Sequence, residues 1–107
     1  MAANYFIKKK FTVIAAGFRC RHGEIDLIAQ NKKHLVFCEV KLRKSNRFAE
    51  AKEFVDTYKQ NRLRITAEYY LSMYPTDLQP RFDVIEIYAP DGVATKQPVV
   101  IHLEDAF

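Results

Sequence analysis

Two short apolar runs of this chain carry charged residues at every second position, the period of a β-strand: Gly23-Glu24-Ile25-Asp26-Leu27-Ile28-Ala29 and Leu35-Val36-Phe37-Cys38-Glu39-Val40-Lys41. Between them lies the short polar stretch Asn31-Lys32-Lys33-His34, which predicts an antiparallel hairpin turning at Lys32-Lys33. In that register Asn31 faces His34, Asp26 faces Glu39 and Glu24 faces Lys41. The four charged residues then share a face with Ile28, Leu35 and Phe37. The opposite face carries Ile25, Leu27, Ala29, Val36, Cys38 and Val40. Strands apolar on both faces belong to a sheet covered on both sides by helices.

The pattern changes elsewhere. Ala2 to Lys10 reads as the end of a helix, with Ala3, Phe6 and Ile7 on one face and three lysines at its C-terminus, where cations complement the dipole. Phe11 to Phe18 predicts a strand in which Gly17 marks a bulge or a close backbone approach. Leu42 to Ala51 reads as a polar, mobile connection. A helix of about 17 residues starts near Thr57, where Thr57 and Gln60 fit a capping box, and Leu63, Ala67, Tyr70, Leu71 and Tyr74 form its apolar stripe. Pro75 stops it. Phe82 to Tyr88 is a buried strand, Pro90-Asp91-Gly92 a turn, and Val99 to Leu103 a last strand. The order predicts an α/β sandwich with a mixed sheet, the helix crossing over right-handed if the strands it joins are parallel.

Acids and lysines alternating along a strand are most often a solvated face. Here they adjoin apolar neighbours, and buried charge is costly unless it is matched. Directly opposed residues have Cβ atoms about 4.5 to 5.5 Å apart, so Asp26 and Glu39 would repel unless something positive lay between them. A hard divalent cation such as Mg²⁺, which takes oxygen ligands and retains waters, suits that pair. The residues thus predict a metal-dependent nuclease site.

Composition adds direction. The net charge of the 107 residues is +4, but residues 1–64 hold 15 Lys and Arg against 6 Asp and Glu, whereas residues 65–107 hold 2 against 7. A basic first part suits a polyanion, and Lys59, Gln60, Arg62 and Arg64 crowd the helix end that favours phosphate. Two cysteines, no secretory signal and no apolar run of membrane-spanning length predict a cytoplasmic protein with reduced thiols and no membrane partner. Cys20, Cys38, His22, His34 and His102 have no zinc-ligand spacing. His22 reads as a loop histidine before a strand, and no surface in the sequence identifies a homodimer interface.

The runs Gly23–Ala29 and Leu35–Lys41, with Lys59-Gln60-Asn61-Arg62-Leu63 and Arg81-Phe82-Asp83-Val84, resemble the YraN family of bacterial proteins across nearly the whole chain. That family is predicted to belong to the PD-(D/E)xK nuclease superfamily and to be similar to Holliday-junction resolvases. The resemblance implies a single restriction-endonuclease-like domain over residues 1–107, a three-layer sandwich with a central mixed sheet flanked by helices. It implies Asp26 and Glu39 as ligands for Mg²⁺ or Mn²⁺, helped by a backbone carbonyl beside Glu39. Lys41 is the implied catalytic lysine, Gln60 a supporting residue, and Glu24 an outer acid or a partner of Lys41. Arg43, Lys44, Arg47, Lys59 and Arg62 are candidates for contacts to the DNA backbone. The implied reaction is hydrolysis of DNA phosphodiester bonds, including those of branched recombination and repair intermediates. The alternative is a non-catalytic nucleic-acid-binding module on an inactive nuclease fold. Two departures stand out. Only Ala2-Ala3-Asn4-Tyr5-Phe6 matches the family's opening segment, so the family's helix glutamate would fall before residue 1: either the N-terminal helix is truncated or its start misassigned, or the site works without that acid; and Gly17 stands where the family tends to have Asn.

Overall fold

The computed structural model describes residues 2–43 and 56–107. Helix α1 (Ala2–Lys8) leads into strands β1 (Thr12–Cys20), β2 (Gly23–Gln30) and β3 (His34–Arg43); helix α2 (Thr57–Met73) precedes β4 (Gln79–Tyr88), a 3₁₀ turn at Gly92–Ala94 and β5 (Val99–Leu103). The strands form one sheet in the order β1-β2-β3-β4-β5. Its first three strands are an antiparallel meander, β3 and β4 are parallel, and β5 returns antiparallel to β4. Among the described residues no helix is long and apolar enough to cross a membrane.

The expected hairpin register holds. Leu27 pairs with Cys38, Ile28 with Phe37 and Ala29 with Val36. The Asn31 N–H bonds the His34 carbonyl at 3.0 Å, and the Asn31 side chain takes the Lys33 and His34 N–H groups, closing a turn that Lys32-Lys33 could not hold alone. One apolar layer, with Ile28, Leu35, Phe37 and Val84, packs against Leu63, Ala67 and Tyr70 of α2. The other, with Leu27, Ala29, Val36, Cys38, Ile85 and Ile87, packs around Phe6 of α1. Helices on both faces make this an α/β three-layer sandwich. Each fully buried Ile or Phe contributes about 1.5–3 kcal/mol.

Several local expectations are corrected. Ile25 joins the α2-side cluster rather than the other, because the β2–β3 ladder ends at Leu27 and the β1–β2 hairpin beyond it no longer follows the sheet's alternation. The bulge in β1 lies between Val13 and Ala15, leaving Ile14 exposed. The register does not shift across Gly17, between the Ala16–Leu27 and Phe18–Ile25 pairs, and Gly17 supplies a backbone at φ +86°, the left-handed region open to glycine. Ile7 points to solvent, because α1 is held through Phe6 and closes one residue later in a Schellman turn. There Phe11 N–H bonds the Phe6 carbonyl, Lys10 N–H bonds the Ile7 carbonyl, and Lys10 sits at φ 66°. The cap of α2 is Asp56, not Thr57: its carboxylate accepts from Lys59 N–H at 2.8 Å. Tyr74 lies past the end of α2 and is exposed. Leu42 and Arg43 continue β3 rather than opening a loop, while the rest of the expected mobile connection, 44–51, lies outside the described residues.

One buried ion-pair cluster ties the far side together. Asp83, with 0% exposure, accepts two bonds from Arg81 at 2.9 Å, one from the Asp105 N–H at 3.0 Å, and contacts His102 Nε2 at 2.6 Å. His102 Nδ1 lies 3.1 Å from the Tyr5 hydroxyl, so α1, β4 and β5 meet in one network. Burial alone would raise the Asp83 carboxyl, but the bonds from His102 and Arg81 outweigh it and hold it below the usual range.

Candidate functional site

Where the β2–β3 ladder ends, the next pair in register is Asp26 and Glu39, and the strands have begun to part. Asp26 turns its carboxylate across the gap and accepts the Val40 N–H at 2.9 Å. Glu39 is 8% exposed, so its carboxylate is kept from most solvent. Burial pushes the Glu39 carboxyl above the usual range; the hydrogen bond from Lys59 opposes that, and the neighbouring Asp26 charge adds to it. The two acids therefore form the repelling pair that the hairpin register predicted.

A cation already leans on that pair. Lys59, on the first turn of α2, donates to Glu39 Oε1 at 2.6 Å while remaining half exposed. Sequence reasoning assigned Lys59 to DNA contacts, because a helix face gives no sign of which strand residue its side chain meets across the core. Lys59 and Arg62 form one wall of a cleft of about 340 Å³ whose other wall carries Glu24, Asp26 and Glu39. Two contributors escaped notice. Gly23, at φ +152°, lets β2 start so close to α2 that an added Cβ would lie 3.1 Å from Thr66 Oγ1. Thr66 is fully buried there, bonding the Arg62 carbonyl at 2.8 Å.

Glu24 does not meet Lys41. The ladder stops before that pair, and Glu24 instead bonds Arg19 of β1 at 3.0 Å, directly across in the β1–β2 register. Lys41 stands two positions beyond Glu39 on β3, beside Glu86 in the parallel register. Burial, with Arg43 and Lys59 nearby, lowers the Lys41 ammonium from its ordinary value, and Glu86 and Glu39 oppose that shift. Glu86, fully buried, was not foreseen, because within Phe82–Tyr88 it is one polar residue in an apolar strand. Its Oε2 accepts the Tyr88 hydroxyl at 2.8 Å, and its Oε1 has no hydrogen-bond partner among the described residues. Arg43 is half-buried at the end of β3. Gln60 is half-buried on α2, outside the residues that line the cleft. Arg62 lies over the Tyr58 ring and bonds its hydroxyl at 3.2 Å. Lys44 and Arg47 lie outside the described residues. His22 sits against the Tyr69 ring and is not among the residues that line the cleft.

Asp26 and Glu39 offer oxygen donors, the chemistry of a hard divalent cation, and such a cation needs only one or two protein carboxylates when it keeps its waters. Among the described residues no group of three His, Cys, Asp or Glu is placed to hold a metal. The fit rests on the two carboxylates. A dication between them would relieve the repulsion that raises Glu39, in the place where the Lys59 ammonium now does so in part.

Residues 1–87 match the family described as "Uncharacterised protein family UPF0102". A UPF0102 protein of Caldanaerobacter subterraneus subsp. tengcongensis is 41% identical over 108 residues, covering 100% of this chain and 88% of the relative. One from Caldicellulosiruptor bescii is 40% identical over 109 residues, covering 100% and 90%, and one from Nitrosomonas europaea is 41% identical over 86 residues, covering 80% and 73%. A family match over most of the chain, with relatives at this identity across it, leaves one conclusion: the chain belongs to UPF0102, the YraN family.

Proposed function

We propose that this protein is a metal-dependent endonuclease that hydrolyses DNA phosphodiester bonds, branched recombination or repair intermediates among them. The observation that carries this reading is the convergence of Asp26 and Glu39 at the parting of two strands, with Lys41 two residues further along. A bound Mg²⁺ or Mn²⁺ would supply a bound water of lowered pKa and positive charge at the phosphate. Asp26 and Glu39 would hold it; Asp26 is itself fixed by the Val40 N–H. Lys41, its ammonium already lowered by burial, orients the attacking water or stabilises charge on the phosphorane. Lys59 and Arg62 grip the phosphates beside the cleft. A cation held by Asp26 and Glu39 would take over the charge that Lys59 now places on Glu39 Oε1 and free that ammonium for the phosphates.

One observation favours a second reading. The Lys59–Glu39 ion pair satisfies the buried acid without any metal, as a non-catalytic nucleic-acid-binding module would require. Cleavage of forked, flapped and four-way junction DNA with Mg²⁺ or Mn²⁺ separates the two. The nuclease reading expects cutting that Lys41→Ala lowers by about 10²-fold or more, with DNA affinity little changed. Binding without cutting on every substrate would leave the module.

A further inference from the structure

The end of the β1–β2 hairpin and the C-terminal half of α2 enclose a second groove, of about 450 Å³, lined by Phe18, Arg19, Cys20, Arg21, Tyr69 and Met73. Its floor is aromatic. The Tyr69 ring lies 6.5 Å from Phe18 and 6.1 Å from His22, and Tyr69 stays 42% exposed while Met73 beside it is also exposed. Its rim is cationic. The Arg19 side chain is 76% exposed even while bonded to Glu24. Arg21 is exposed, leans on His22 Nε2 at 3.4 Å, and pairs with no acid among the described residues.

An aromatic floor between two guanidiniums has the chemistry of a site for one unpaired nucleotide: a base offers a π-face to Tyr69 and its phosphates meet the arginines. A second copy of this chain would bring the same guanidiniums against themselves. Paired bases within a duplex keep their faces stacked and could not reach Tyr69. The groove is also in line with the cleft, since both lie along α2. Lys59 and Tyr69 stand ten residues apart on that helix, about 15 Å along its axis.

We propose that this groove binds an unpaired nucleobase of a strand whose backbone runs to the Asp26–Glu39 cleft, so that the protein selects nucleic acid with unpaired segments over plain duplex. The selection draws its use from the proposed phosphodiester hydrolysis, but binding is measurable without it. The test is fluorescence anisotropy in EDTA with a short labelled single strand, the same strand carrying central abasic sites, and the blunt duplex. Tyr69→Ala should weaken single-strand binding about five-fold or more, abasic sites should reproduce that loss, and Tyr69→Phe should restore binding. Duplex binding should not respond to any Tyr69 change. Arg21→Ala should flatten the salt dependence by about one unit. Equal loss on single strand and duplex, or no loss with Tyr69→Ala, overturns the proposal. So does sedimentation showing a wild-type dimer that Tyr69→Ala dissociates, since the groove would then face a second copy. Asp26→Asn in the same assay keeps the two readings apart: it should retain the strand preference whether or not the protein cuts DNA.

Discussion

The Asp26 charge raises the cost of ionising the buried Glu39, so removing either charge should relieve strain rather than create it. Asp26→Asn keeps an oxygen for the Val40 N–H, and Glu39→Gln leaves Lys59 half exposed rather than stranded in the core. Thermal unfolding in EDTA should therefore find both variants as stable as wild type or more so, while calorimetry finds their Mn²⁺ binding abolished. Asp83 behaves in the opposite way. It is buried against Arg81 and His102, so Asp83→Asn would leave a largely buried guanidinium without its counter-charge, at a cost of about 3–5 kcal/mol. Its carboxyl is depressed in the folded protein. The stability it provides is thus present above the unfolded value of about 3.9 and is lost as pH falls through the folded value. Urea unfolding below about pH 4 should show wild type losing stability steeply and Asp83→Asn losing less. The two clusters were not equally legible. Asp26 and Glu39 lie in strands joined by a short turn, so alternation alone brings them together; Asp83 and His102 meet only through the pairing of β4 with β5, which no local pattern specifies.

At the level of elements, the hairpin register was readable because a short loop of even length sets which residues face one another. The places where elements meet one another were not. Gly23 looked like the start of a strand, yet its φ of +152° and the nearness of Thr66 make it the contact that lets α2 lie against the hairpin. Gly23→Ala should cost about 1–3 kcal/mol from backbone strain, before any shift of Thr66, and thermal denaturation would read it. The cap of α2 gives a finer test. Asp56→Ala should lose about 1 kcal/mol, since its carboxylate takes the Lys59 N–H, whereas Thr57→Ala should stay within about 0.5 kcal/mol. A capping box needs a side chain and a backbone N–H to meet in space, and the sequence offered two neighbouring candidates that only geometry separates. The same reason hid the bulge at Ile14, because neither strand marks which residue has no partner.

Over the whole molecule, the uneven charge reads as a division of labour. Arg19, Arg21, Lys59 and Arg62 line the cleft and groove where β1, β2 and α2 meet, whereas Asp83, Glu86 and Asp105 lie on β4 and the chain that follows it. If about five of these and neighbouring cations meet phosphates, log affinity for DNA should fall against log salt with a slope of about −4 to −5. Affinity indifferent to salt would remove nucleic acid as the partner. The three-layer architecture and the pair of acids followed from alternation, since both need only two-sided burial and one turn. Lys59 on Glu39 did not follow, because it joins a helix to a strand across a crossover whose packing depends on the whole sheet. That ion pair also frames the most direct test, which is anomalous scattering from crystals of the wild-type protein soaked in Mn²⁺. A peak between Asp26 and Glu39, bonded to an oxygen of each at about 2.0–2.2 Å with Lys59 moved away from Oε1, is the expected result. A cleft free of manganese, with Lys59 still seated on Glu39, would contradict a divalent-cation centre at this pair.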